Sequence, residues 1–283
     1  MSLLRIGGVP EHFNLPWHRL LEARAHERLG VDLSWRDYPE GSGAMAAALR
    51  AGQLDAAVLL TEGAVAGAAA GGFRIVSLYT ESPLIWGIHV PARSLIRTVA
   101  DLRGRRYAIS RRGSGSHLMS CVHAREQGWP NSDLDFVVVG TLQGAVDAFA
   151  SGAADVFFWE KFMTKPLVDS GRFRRVAEFV APWPAFVVCA AGAALTRGGE
   201  LATLLRGVFA AAAELAAARD AATIIAARYG LAPDDVREWL GTTRWASRPG
   251  VSVEQVAPAV TQLGALGLIA ADVSAAALLA PLA

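Results

Sequence analysis

Short apolar runs of strand length alternate with longer runs of helical pattern along the first 180 residues of this chain. The strand-like runs 3–8, 32–36, 56–60 and 74–79 are separated by helix-like stretches at 16–29, 43–51 and 63–70. Buried parallel strands joined by crossover helices give that rhythm, so the spacing predicts an α/β fold. The run 84–90 (Leu-Ile-Trp-Gly-Ile-His-Val) is a further strand with no helix before it, after which the rhythm restarts. Strands at 106–109, 135–139, 156–158 and 174–180 then alternate with helices at 115–127, 142–151 and 160–170. Pro182-Trp183-Pro184 is expected to interrupt the chain, and 185–190 to return as a strand to the first unit. From 192 onward the pattern is helical, broken at Gly198-Gly199, Gly230, Gly241 and Pro249-Gly250, and no internal repeat is evident. Two lobes follow, 1–85 with 184–283 and 86–183, each a mixed sheet flanked by helices. Two crossings between them predict a hinge and an interlobe cleft.

Composition agrees with that size of core. At 283 residues, with 53% apolar and 19% charged side chains, the chain can bury two domains of about 100–150 residues. A net charge of +1 with scattered arginines carries no nucleic-acid footprint. The two cysteines, Cys121 and Cys189, lie far apart in apolar surroundings without metal-finger spacing and read as reduced core thiols. The alanine-rich stretch 207–227 is interrupted by Glu214, Arg219 and Asp220, so membrane insertion is not expected. The opening run is too short for the apolar core of a secretory signal. A cytoplasmic location is therefore expected, or a periplasmic one if a leader had been removed.

In an α/β sheet the ligand-binding groups come from loops at the carboxyl ends of strands. Residues 110–117 read Ser-Arg-Arg-Gly-Ser-Gly-Ser-His between a strand and a helix. Such a loop leaves free N–H groups at the positive end of a helix dipole, with Ser110, Ser114 and Ser116 as further donors around Gly113 and Gly115. It lacks the spacing of a phosphate loop or of GxGxxG, so it predicts a small anionic group and not a nucleotide. Simple helix capping by Ser114 or Ser116 is the competing reading. His117 is either a proton donor or a satisfied helix residue. Other strand ends carry Glu11, His12 and Phe13, then Ser42 and Gly43, then Thr61 and Glu62, and in the second lobe Trp159 and Glu160. Three carboxylates and a histidine at one edge could bind an amine or cation, hold a metal, or act as acid and base. Glu62 also opens a helix, where the dipole favours a carboxylate. Trp159 and Trp183 are placed to wall a ring or alkyl chain, whereas Trp17 and Trp86 read as packing, Trp86 at the hinge.

Six motifs in order carry a resemblance: Pro10-Glu11-His12-Phe13, Leu60-Thr61-Glu62-Gly63, Ser82-Pro83-Leu84-Ile85-Trp86-Gly87-Ile88-His89, the run 110–119, Trp159-Glu160 with Thr164-Lys165-Pro166, and Pro182-Trp183-Pro184. They resemble the type II periplasmic-binding-protein-like family, the two-lobed substrate-binding proteins of ABC transporters that take sulfonates, taurine, nitrate and thiamine-pyrimidine precursors. More narrowly they resemble a cytosolic bacterial and fungal offshoot of that class. The likeness spans about residues 3–190, and Met163 stands where the offshoot's pattern has threonine. It implies the two-lobed fold and a cleft closing on a ligand, without naming the ligand.

The reading drawn from these features is a binding protein that closes by hinge motion on a small anionic or zwitterionic molecule, with no cofactor, no metal and no catalytic residues. A membrane transporter or a sensor protein is the partner such a molecule would have. Two alternatives stay open. One is an enzyme on the same fold, resembling the futalosine-route lyases or the thiamine-pyrimidine synthase, although neither Lys161 nor Lys165 is an obvious pyridoxal phosphate anchor. The other is a ligand sensor acting through a partner protein.

Overall fold

The computed structural model describes residues 3–282. Its strands are β1 (Leu4–Gly8), β2 (Leu33–Asp37), β3 (Ala56–Leu60), β4 (Phe73–Leu78), β5 (Pro83–Pro91), β6 (Arg106–Ile109), β7 (Asp135–Val138), β8 (Val156–Glu160), β9 (Phe173–Pro184) and β10 (Phe186–Ala191). The helices in lobe 1's first segment are α1 (Leu15–Glu22), α2 (Ala25–Arg28), α3 (Ser42–Arg50) and α4 (Thr61–Ala69). Lobe 2 holds α5 (Gly115–Glu126), α6 (Leu142–Ala150) and α7 (Lys165–Asp169). The C-terminal third adds α8 (Ala193–Thr196), α9 (Gly198–Ala217), α10 (Ala221–Tyr229), α11 (Pro233–Thr242), α12 (Val253–Ala265) and α13 (Ala275–Leu278).

Two five-stranded sheets result, ordered β2-β1-β3-β10-β4 and β7-β6-β8-β5-β9. In each the first three strands are parallel, and the antiparallel fourth, β10 or β5, is the one that has just crossed from the other lobe. The chain changes sheet between β4 and β5 and again at Ala185. All six residues of β10 are buried, as a strand flanked on both edges and covered on both faces requires. Helix α9 packs on α1 and α12 on α4, which completes lobe 1, and α12 also packs on β9 and α5 of lobe 2. No single helix among the described residues is long and apolar enough to cross a membrane; α9 and α10 reach that length together only across a 108° bend. Cys121 and Cys189 are buried and unpaired.

The structure also shows a repeat between the lobes that was not expected from the sequence. Asp55 accepts from the Arg5 backbone N–H and guanidinium at 2.8–2.9 Å, and Asp155 accepts from the same groups of Arg106 at 2.8–3.1 Å. In each lobe the aspartate precedes the third strand and locks it to the start of the first. Around these pairs Gly52 and Gly152 sit in left-handed turns (φ 64° and 70°), Ala48 matches Ala148, and Gly71, Phe73, Arg74 and Val76 of lobe 1 recur as Gly171, Phe173, Arg174 and Val176 of lobe 2.

Three expectations are corrected. Pro182-Trp183-Pro184 does not interrupt the chain but ends β9, an edge strand where a missing N–H costs little. The helix expected at 160–170 shrinks to α7, because Glu160 is the last residue of β8 and its Oε2 accepts from the N–H groups of Phe162 (2.8 Å) and Met163 (2.6 Å), shaping a turn. The helix expected at 16–29 is split into α1 and α2 by Arg24, which takes a left-handed conformation at φ 51°.

Candidate functional site

Between the lobes lies a cleft enclosing about 490 Å³ of atom-free space. Of the residues expected there from sequence, Glu11, Ser42, Ser110, Ser114, Gly115, Ser116, Trp159 and Glu160 line it. Leu60, Leu84, Trp86 and Phe186 supply its apolar wall, and Pro39 to Gly41 its rim on the lobe 1 side. Only about 40 Å³ is open to the centres of water-sized molecules, so what fits in this arrangement is a few atoms across. The lobes are already in contact. A Cβ on Gly115 of lobe 2 would stand 2.6 Å from Leu60 Cδ1 of lobe 1, and one on Gly63 would meet only its own lobe's Ser42. Arg111 reaches across from the loop after β6 to donate to the Glu40 carbonyl.

The helices α3, α4 and α5 all begin at this cleft. Among the described residues the N–H groups of Ser42, Gly43, Gly115, Ser116 and His117 have no protein acceptor, the ordinary condition of a first helical turn. The serine hydroxyls are mostly committed within the loop. Ser114 Oγ donates to the Arg111 carbonyl at 2.8 Å, and Ser116 Oγ accepts from the Ser110 N–H at 3.0 Å while lying 3.0 Å from Ser114 Oγ. Ser114 makes no side-chain cap bond to α5. Ser42 Oγ accepts from the Leu60 N–H at 3.0 Å. What the loop offers a ligand is therefore mainly backbone donors, with the Ser116 proton able to turn between Ser114 and the cleft and the Ser110 hydroxyl left without a bond among the described residues.

Three carboxyl groups surround this region, and burial raises the proton affinity of each. Glu11 is pushed up to about 7 by desolvation. Glu62 also reaches about 7: its own N–H and the Trp183 indole N–H at 2.9 Å oppose the rise, yet burial outweighs them. Glu160 is pushed up to about 8 by burial first and by the neighbouring Glu11 charge second, against the two backbone N–H groups it accepts from. No Lys, Arg or His forms an ion pair with any of the three among the described residues.

The remaining predicted site residues stand behind the cleft. His12 is fully buried with its ring 4.1 Å from that of Trp239 and 4.8 Å from that of Phe13, and burial holds it neutral, down at about 3. The Phe13 carbonyl accepts from Tyr79 Oη (2.7 Å) and Trp245 Nε1 (2.9 Å), and its ring packs on Phe186. Thr61 Oγ1 donates to the Pro184 carbonyl at 2.5 Å, across the return crossing. His117 Nδ1 accepts from the Gly113 N–H at 3.1 Å, so the imidazole buttresses the loop and is not a proton donor at that atom. Gly43 leaves space for Arg111, whose Nε would lie 2.5 Å from a Cβ there. Trp183 braces Glu62 and does not wall the cleft. Trp86, read from sequence as hinge packing, does line it, at 3% exposure and with an indole N–H that has no acceptor.

Solved structures share this fold. The conserved Candida albicans CA3427 gene product, a protein exhibiting the generic periplasmic binding protein structural fold, superposes with a TM-score of 0.90 at 22% identity over 99% of this chain and 96% of that one. The chain has the periplasmic binding protein fold. The alkanesulfonate-binding protein SsuA from Xanthomonas axonopodis pv. citri, bound to MOPS, shares the periplasmic binding protein fold with a TM-score of 0.83 at 23% identity, covering 99% of each chain. The periplasmic aliphatic sulphonate binding protein SsuA from Escherichia coli follows at 0.75 and 22%, covering 99% of this chain and 92% of that one. Residues 86–179, lobe 2 of the periplasmic binding protein fold from β5 into β9, match the sequence family described as Ca3427-like PBP. No curated protein matches the chain.

Proposed function

We propose that this chain is a solute-binding protein whose lobes close on a small anionic or zwitterionic molecule, which it presents to a membrane transporter or a sensor partner. The observation that carries the reading is the meeting of unpaired N–H groups from the first turns of α3 and α5, one from each lobe, at a single apolar-walled cleft. An acidic oxygen placed there would bond both lobes at once, and exclusion of water by Trp86, Trp159 and Phe186 would strengthen those charged hydrogen bonds. The sulfonate-binding names of two structural neighbours favour an alkyl or aryl sulfonate or a carboxylate of similar shape. Closure by hinge motion about the crossings at 79–82 and Ala185 is part of the same proposal.

Thermal unfolding against alkanesulfonates, aminoalkylsulfonates, carboxylates and nitrate, with mass spectrometry of each mixture, tests it. A ligand at about 100 times its Kd contributes about 2.7 kcal/mol and raises Tm by several degrees. A dose-dependent rise with the compound intact supports the proposal. Conversion of the compound, or no rise with any anion, overturns it.

A further inference from the structure

Glu11 and Glu160 approach the cleft from opposite lobes, Glu11 from the loop after β1 and Glu160 from the end of β8. Glu160 is 4% exposed, and while its Oε2 is held by two backbone N–H groups its Oε1 has no protein donor. Beside them Glu62, 1% exposed, keeps Oε1 buried without a partner, close enough to Gly115 that a Cβ there would lie 3.3 Å away. No positive group nearby bonds to these carboxyls. Arg111 donates to the Glu40 carbonyl and keeps its Nε buried without a partner, Arg175 lowers the proton affinity of Glu160 through its charge but lies 3.5 Å from Glu178, and Lys161 pairs with Glu178 and Glu238. His12 and His117, adjacent to Glu11 and to Ser116, are held neutral by burial. Carboxyl oxygens left without donors are therefore gathered where no protein cation forms an ion pair with them among the described residues.

A second observation says that the answer comes from a ligand. The Trp86 indole N–H, on the same cleft wall, is buried and lacks an acceptor. Buried polar groups are ordinarily satisfied, and an orphaned donor facing orphaned acceptors across one small space calls for a molecule that carries both functions.

We infer that the molecule closing this cleft bears a protonated nitrogen as well as an acidic group, its ammonium seated between Glu11 of one lobe and Glu160 of the other. The inference rests on the binding-protein reading and narrows its substrate class to zwitterions. The ligand's cation is then the bridge between two carboxylates that would otherwise repel as the lobes close, and the indoles of Trp86 and Trp159 are the faces a cation prefers. Both acids hold protons near neutrality in the empty cleft. Seating an ammonium there displaces a proton, so binding strengthens as pH rises.

Two fragments separate this inference from the reading beneath it: methanesulfonate for the acidic end and methylammonium for the cationic end, each in amine-free buffer with sodium chloride as the ionic-strength control. Near ten times Kd a fragment raises Tm by a few degrees. The expected result is that methylammonium raises Tm at pH 8.5, raises it at least threefold less at pH 5.5, and loses its effect in Glu160→Gln and in Glu11→Gln. Both variants retain a carbonyl oxygen, and their own melting curves report that they fold. Stabilisation by methanesulfonate alone overturns the zwitterion inference and leaves the binding reading standing. If methanesulfonate acts more strongly at pH 5.5 and this depends on Glu160, the acid is a neutral donor to an anion, and the inference also fails. No effect of either fragment overturns both.

Discussion

The Trp183 indole N–H donates to Glu62 Oε2 at 2.9 Å, joining the last residues of β9 in lobe 2 to the first turn of α4 in lobe 1. This bond lies beside the return crossing, where Thr61 also holds the Pro184 carbonyl. Trp183→Phe keeps most of the apolar contact but leaves a buried carboxylate without its donor. The expected cost is about 1–3 kcal/mol of stability. Urea unfolding measures it, and the loss should shrink when Glu62→Gln is added, since a neutral amide tolerates burial better than an unpaired charge.

Gly115→Ala tests the contact between lobes. The added methyl would stand 2.6 Å from Leu60 Cδ1 of lobe 1 and 2.8 Å from Trp86 Cη2 of lobe 2, so it presses on the side chains at the cleft wall and wedges the lobes apart. Methanesulfonate affinity by calorimetry should fall about tenfold or more, while the Tm of the unliganded protein changes by about 2 °C or less. A large fall in Tm with unchanged affinity would show that the contact is ordinary core packing.

The pH dependence has opposing parts whose signs are fixed by the buried groups. Glu11, Glu62 and Glu160 have folded-state proton affinities raised to about 7, 7 and 8, so each contributes stability below its usual 4.5 that is lost as pH rises through those values. His12, His89, His117 and His123 are lowered to about 3, 3, 4 and 4, and their contribution is lost as pH falls below the ordinary 6.5. Below 6.5 the histidines oppose the acids, and from 6.5 to 8 the acids act alone. Stability of the unliganded protein should therefore decline between pH 6.5 and 8, and Glu160→Gln should flatten that decline when unfolding is followed across the range.

The contact between lobe 2 and the C-terminal helices can be tested through Lys161. Its ammonium lies 2.7 Å from Glu238 of α11 and 3.1 Å from Glu178 of β9, while Lys165 lies 3.7 Å from Asp235. Partly exposed pairs of this kind contribute about 1 kcal/mol each, enough to shift an open–closed balance several fold and too little to unfold the protein. Lys161→Met with Lys165→Met should raise the radius of gyration seen by small-angle scattering above the about 19 Å of a compact chain this long. An unchanged radius would mean that these ion pairs do not set the separation of the lobes.

The sheet strands were legible because a buried parallel strand needs a continuous apolar run, and 56–60 or 156–158 can read in no other way. Glu160 and Trp159 were legible as cleft residues for the same reason, since they sit where such a run ends. His12 and Phe13 were placed in the cleft because they flank Glu11, which lines it, and Trp183 because it lies at the crossing between the lobes. Their neighbours decide otherwise: Trp239 and Trp245 come from beyond residue 230, and a contact that far away in sequence leaves no local sign. Trp86 was misread because a tryptophan in an apolar strand looks the same whether its N–H meets protein or ligand. The lobe repeat was missed because its matching residues, the Arg5–Asp55 and Arg106–Asp155 locks and Gly71, Phe73 and Arg74 with Gly171, Phe173 and Arg174, are scattered among apolar positions that are interchangeable by size.

The placement of β10 between β3 and β4 bears on how the chain is made. The second sheet is assembled wholly from residues 83–184, a continuous stretch, whereas the first lacks its fourth strand until residue 191 has been synthesised. Before then β4 has no neighbour in its sheet and β3 presents an open edge. A chain emerging from the ribosome can thus complete its later lobe before its earlier one, and truncation just short of β10 would leave a finished lobe attached to an unfinished, aggregation-prone sheet.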